Sequence, residues 1–112
     1  MFCTAHARAQ MDPQQVQLDS LTYAQYINHD WKNLLLTADN AITNKQDFYY
    51  LNIRAAVAAI ALNKPYKEQY YLQRTYKEYP YDPLALPLLY NNYLTTGQYA
   101  QALRIHKQIQ TE

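Results

Sequence analysis

Arg54-Ala55-Ala56-Val57-Ala58-Ala59-Ile60-Ala61-Leu62 is apolar on every side of a helix once its leading arginine is passed. Its alanines are too small to fill a pocket alone, but they let neighbouring helices approach closely from several directions. Such a helix belongs inside a stack. It lies within a longer unit, Phe48 to Pro80, in which Asn63-Lys64-Pro65 breaks the chain and a tyrosine-rich helix follows. Similar pairs precede and follow this one. The sequence therefore predicts an all-α domain of six helices, arranged as helical hairpins side by side.

With 112 residues there is room for one domain, which buries somewhat under ~70% of the surface its unfolded chain exposes. One glycine and five prolines argue against a sheet of many tight turns and for helices joined by short corners. Charged residues make up 17% and the net charge is +1, so nothing marks a phosphate-tracking surface and nucleic acid is disfavoured. Tyrosine is the outlier, at 13 residues against two phenylalanines and one tryptophan. A tyrosine offers a ring to bury and a hydroxyl that still wants a partner, which suits helix seams that stay partly wet. Stacking on sugars or a membrane interface is the competing reading, and it is weaker because most of these rings fall on the expected packing stripes.

Cys3 stands alone, so no intrachain disulfide and no cysteine-based zinc site can form. Ala7-Arg8-Ala9 is the small-x-small pattern that signal peptidase accepts, without a basic start or a long apolar run before it. Residues 1–17 are expected to be the remnant of an export leader and a flexible lead-in, with the helical domain over 18–110; a merely disordered N-terminus is the alternative. A real leader implies the periplasm or cell envelope, and its absence the cytoplasm.

Leu18, Leu21, Ala24 and Ile27 recur at helical spacing until Asn28-His29-Asp30 interrupts them. Asp30 is expected to cap a second helix whose stripe is Trp31, Leu34, Leu35, Ala38, Ala41 and Ile42, and Asp47 to cap the third. The fourth helix starts near Tyr66 and should pack through Tyr66, Tyr70, Leu72, Thr75, Tyr76 and Tyr79. Pro80-Tyr81-Asp82-Pro83 ends it and starts the fifth, with Asp82 as cap. That helix uses Leu86, Leu89, Tyr90, Tyr93 and Leu94, and Pro87 is expected to cost its first turn one backbone hydrogen bond. Gly97, free to take a positive φ, turns the last corner into a helix carrying Tyr99, Ala102, Leu103, His106 and Ile109.

Trp31, Tyr66 and Tyr99 open the even-numbered helices at separations of 35 and 33 residues, around a mean of ~34, the period of the tetratricopeptide repeat. Gly97-Gln98-Tyr99-Ala100-Gln101-Ala102-Leu103 resembles the Gly-x-Tyr-x-x-Ala-Leu hallmark of that family, and Pro80-Tyr81-Asp82-Pro83 resembles its proline boundary. Tyr90 and Val57 depart from it, standing where a small residue is usual. Asp47-Phe48-Tyr49-Tyr50-Leu51 before an alanine-rich helix is similar to exported bacterial repeat modules that precede outer-membrane β-barrels.

The resemblance implies a right-handed stack of about three antiparallel hairpins whose first helices line a concave groove for a peptide or partner helix. Carried over by position, it implies groove contacts at Tyr23, Arg54 and Asn91, with Leu84, Leu94 and Thr95 beside them. Arg54 paired with a neighbouring acid and Asn91 simply solvated is the plainer alternative. The lysine-and-asparagine clamp of some members is not visible, since Ala58 sits where one of its asparagines is expected. A second function class is a structural domain of a larger envelope protein, docking in cis or self-associating through an uncovered C-terminal helix.

An enzyme is not expected, nor any cofactor or metal. His6, His29 and His106 are isolated, and no His-x-x-x-His pair, glycine-rich phosphate loop or serine elbow occurs. The apolar run after Arg54 is much too short to span a bilayer.

Overall fold

The computed structural model describes residues 11–110. Six helices follow in order: α1 Pro13–Ile27, α2 Trp31–Thr43, α3 Tyr49–Ala61, α4 Pro65–Glu78, α5 Ala85–Thr95 and α6 Tyr99–Gln110. They form three sequential antiparallel hairpins that stack, with α3 packed against α1, α2 and α4. Its alanines explain that central place: Ala55, Ala56, Ala58 and Ala59 are all fully buried, beside Leu51. Among the described residues no helix is long and apolar enough to cross a membrane. The leader motif Ala7-Arg8-Ala9, with Cys3 and His6, lies outside the described residues.

The repeat is written most regularly in the backbone of the corners. His29, Asn63 and Gly97 each take a positive φ, at 56°, 55° and 74°, and they stand 34 residues apart in both steps. Each closes the first helix of its hairpin with the same pair of bonds. His29 donates to the Tyr26 carbonyl and Asp30 to Gln25; Asn63 to Ile60 and Lys64 to Ala59; Gly97 to Leu94 and Gln98 to Tyr93. This is the Schellman arrangement, which satisfies the last carbonyls of a helix and turns the chain sharply. The second helices accordingly begin at residues 31, 65 and 99, again 34 apart.

That register corrects the aromatic alignment of the sequence. Trp31 and Tyr99 match Pro65, not Tyr66, because proline takes the first position of α4, where its missing N–H has no partner to lose. The three aromatics do not share surroundings: Trp31 stacks on His29 at 4.9 Å, whereas Tyr66 and Tyr99 are 66% and 67% exposed. Tyr90 then aligns with the small Ala56, and Val57 with Tyr23 and Asn91.

Gly97 is the corner where the backbone cost can be isolated, since a Cβ added there meets nothing within 4 Å. Gly97→Ala is expected to lower stability by about 1 kcal/mol, through the left-handed conformation alone. Asn63→Gly at the equivalent corner should be neutral or slightly stabilising. Urea denaturation of both variants checks this, and an unchanged midpoint for Gly97→Ala would remove the strain argument.

Other expectations shift by one residue or one partner. Met11–Gln17 is not all loose lead-in, because α1 starts at Pro13 under a capping box in which Asp12 and Gln15 bond reciprocally at 2.8 and 3.1 Å. Leu21, Ala24 and Ile27 are exposed, and α1 buries Asp19 and Thr22 instead. Asp30 stands before α2 but makes no cap bond; its carboxylate accepts from the Asn33 side chain. Asp47 does not cap α3, having been drawn to Arg74 and Asn52. Asp82 does cap, accepting from the Leu84 and Ala85 N–H groups at 3.2 and 2.8 Å. The Leu86 N–H already bonds the Asp82 carbonyl at 3.1 Å, and Pro87, having no N–H, forgoes the next bond of the same ladder, as expected.

In α4 the buried face is Tyr71, Leu72 and Thr75, so Tyr66 and Tyr70 turn outward. Tyr71 is selected because its hydroxyl donates to Asp39 of α2, which also receives Lys67. Burial, then that carboxylate, drives the Tyr71 phenol far above its ordinary pKa. In α6 the buried residues are Ala102 and Ile105, while Tyr99 and Leu103 face out.

Candidate functional site

Two adjoining concavities lie along the first helices of the hairpins. One, of about 320 Å³, is lined by Tyr23 and Tyr26 of α1, by Tyr50, Ile53, Arg54 and Val57 of α3, and by Leu84 and Leu88 at α5. The other, of about 340 Å³, joins Ile60 of α3, Lys64 and Glu68 at α4, and Leu88, Asn91 and Thr95 of α5. Leu88 belongs to both. Tyr23, Arg54 and Leu84 thus come together in the first concavity, and Asn91 and Thr95 in the second. Leu94 lines neither, because it is carried to the far side of Asn91 on α5.

Arg54 is held from three directions. Its Nη1 donates to the Asp19 carboxylate at 2.7 Å, to the Asp19 carbonyl at 3.0 Å and to the Thr22 hydroxyl at 3.1 Å. The guanidinium lies over the Tyr23 ring at 5.3 Å and the Tyr50 ring at 5.4 Å. The plainer expectation, a pairing with a neighbouring acid, is therefore met, and it explains why α1 buries Asp19 and Thr22. It does not exhaust the side chain. Among the described residues Nε and Nη2 make no hydrogen bond, and Nε with one Nη forms the edge that binds a carboxylate in two parallel bonds.

The second concavity is polar on the α4 side. Asn92, beside the expected Asn91, is buried and bonds the Pro65 carbonyl at 2.8 Å and Glu68 Oε1 at 3.0 Å, while its own oxygen accepts from Gln69. This knot ties α5 to the start of α4. Burial pushes the Glu68 carboxyl above its ordinary pKa, and the Asn92 bond offsets only part of that. The Thr95 hydroxyl is spent on the Asn91 carbonyl.

The sequence did not mark Tyr50, Val57 and Leu88 as site residues, although the repeat could have supplied them. Val57 lies 34 residues from both Tyr23 and Asn91, Leu88 lies 34 after Arg54, and Tyr50 lies 34 before Leu84. Glu68 had no such signal, since it reaches the site from the start of a second helix.

A separate charged cluster, lining neither concavity, ties α4 to the start of α3 within the second hairpin. Arg74 grips Asp47 with two bonds, at 2.9 and 3.1 Å, and Asn52 adds a third at 2.8 Å. Burial pushes the Asp47 carboxyl up, but those bonds and the Arg74 charge outweigh it, so its pKa lies below the ordinary carboxylate value. A carboxyl depressed on folding stabilises the fold fully above its unfolded pKa, and that stabilisation is lost as pH falls through the folded value. Glu68 has the opposite sign: its cost is present above its raised pKa and is relieved as pH falls. Asp47→Asn should therefore flatten the acid limb of melting temperature against pH, below about pH 5. Parallel limbs for parent and variant would show that this carboxylate is not coupled to folding.

Among the described residues no group of three histidine, cysteine, aspartate or glutamate side chains is placed to hold a metal ion. Comparison with family models, with curated proteins and with solved structures finds no match to this chain.

Proposed function

We propose that this chain is a non-enzymatic interaction module of tetratricopeptide-repeat type, binding a peptide or partner helix along the face formed by α1, α3 and α5. The observation that carries the reading is the convergence of Tyr23, Arg54 and Leu84, from three successive hairpins, on one concavity. The equal 34-residue steps of the corners support the family assignment. The chemistry of the face is that of recognition: an apolar floor of Ile53, Val57, Leu84 and Leu88 gives contact area, and a few fixed polar groups give orientation.

Selection of a phage-displayed peptide library on the purified chain tests this. Selected peptides should bind the Leu88→Glu variant at least ten-fold more weakly, and the Leu36→Glu variant, altered at an exposed leucine lining neither concavity, as well as the parent. Equal binding to both variants would remove the face from consideration. A second reading, a structural domain that docks in cis or self-associates through α6, is favoured by the outward Tyr99 and Leu103. Concentration-dependent sedimentation abolished by Leu103→Asp supports it, and a monomer at all concentrations counts against self-association.

A further inference from the structure

We propose that the concave face selects a peptide carrying an acidic group and, further along the chain, a basic group, the acid seated against Arg54 and the base against Glu68. This rests on the peptide-binding reading above and specifies its ligand. Arg54 brings an unused two-donor edge to the first concavity, and the rings of Tyr23 and Tyr50 fix its plane. Asp19 occupies Nη1, so an incoming carboxylate meets the remaining Nε and Nη2 without displacing it. A carboxylate bound across two parallel N–H groups is the strongest and most geometrically selective pairing a guanidinium makes.

Glu68 supplies the opposite charge to the second concavity. Its Oε1 accepts from Asn92, and Oε2 has no hydrogen-bond partner among the described residues. Lys64 shares the rim, yet no ion pair joins it to Glu68 among the described residues. A half-buried carboxylate with one oxygen open is completed by an ammonium or guanidinium from a ligand.

The two concavities are offset along α3, which contributes to the lining of both. Arg54 lines the first and Ile60 the second, and six residues of helix advance about 9 Å. An extended peptide covers that offset between the two concavities in about three residues, and the probe below spaces its charges accordingly. The residues between them cross Leu88, the side chain common to both concavities, and are therefore apolar.

Fluorescence anisotropy with labelled, end-blocked peptides tests the proposal. The probe is Gly-Glu-Leu-Ala-Lys-Gly, compared with versions in which both charged positions are Glu, both Lys or both Gln. The mixed-charge probe is expected to bind at least ten-fold more tightly than the other three. Glu68→Gln, which keeps an oxygen for Asn92, should erase its advantage over the doubly acidic peptide, and Glu68→Lys should reverse the order. Matching thermal melts for parent and Glu68→Gln establish that folding is intact. Equal binding of all four peptides overturns the charge pairing and leaves the groove standing. No binding of any of them to the parent, together with an empty library selection, overturns the groove as well.

Discussion

Arg54→Ala is expected to lose roughly 3 kcal/mol of stability, the low end of what removing one partner of a buried ion pair costs. For a chain of about this size that corresponds to a fall of about 12–20 °C in melting temperature. Both side chains of the pair are well covered, at 14% and 11% exposure, so water cannot replace the guanidinium at Asp19. The loss extends beyond the pair, because the same nitrogen holds the Asp19 carbonyl and the Thr22 hydroxyl and so fixes α1 to α3. Arg54→Met combined with Asp19→Asn should lose less than Arg54→Ala alone, since no carboxylate is then left buried. A melting temperature within 2 °C of the parent for Arg54→Ala would mean that solvent screens the pair and that apolar contact alone docks α1. This result also governs how binding data are read: Glu68 is the safer position for probing recognition, because its substitution leaves the α1–α3 lock intact.

The second large effect concerns the central helix. Ala58→Leu should cost about 2–3 kcal/mol, because added methylenes in a filled core force side chains off their rotamers and backbones apart. Ala58 is fully buried on a helix that packs against three others. Ala61→Leu, three residues along the same helix at an exposed position, should change stability by less than about 0.5 kcal/mol. Denaturation of the two variants side by side compares identical chemistry at two depths. Equal losses would mean that α3 is not enclosed as described.

Much of the fold was legible because its signals are local. The breaks at Asn28-His29-Asp30, Asn63-Lys64-Pro65 and Thr96-Gly97-Gln98 each contain the residue that takes a positive φ, and the helices end there. The stripe of α2 was also plain: Leu34, Leu35, Ala38 and Ala41 are buried together. Where two stripes one residue apart were equally apolar, the choice was not local. Tyr70 and Tyr71 are the same residue type in succession, and Asp39, 32 residues earlier, takes the hydroxyl of Tyr71. In α1 the apolar Leu21 lost its place to Asp19 and Thr22 because Arg54 arrives from α3 to satisfy both.

The candidate site divides in the same way. Tyr23, Arg54, Leu84, Asn91 and Thr95 were reachable by position in a repeat, and Leu94 was not excluded by anything in its neighbourhood of sequence. Glu68 entered only through Asn92, whose side chain joins two hairpins.

By itself, then, the sequence determined the number of helices, their corners and the 34-residue period, because prolines, left-handed turns and helical periodicity act over a few residues. The tertiary structure alone decided which side of α1, α4 and α6 is buried and which charged groups meet, because a polar side chain is buried only where a distant partner satisfies it.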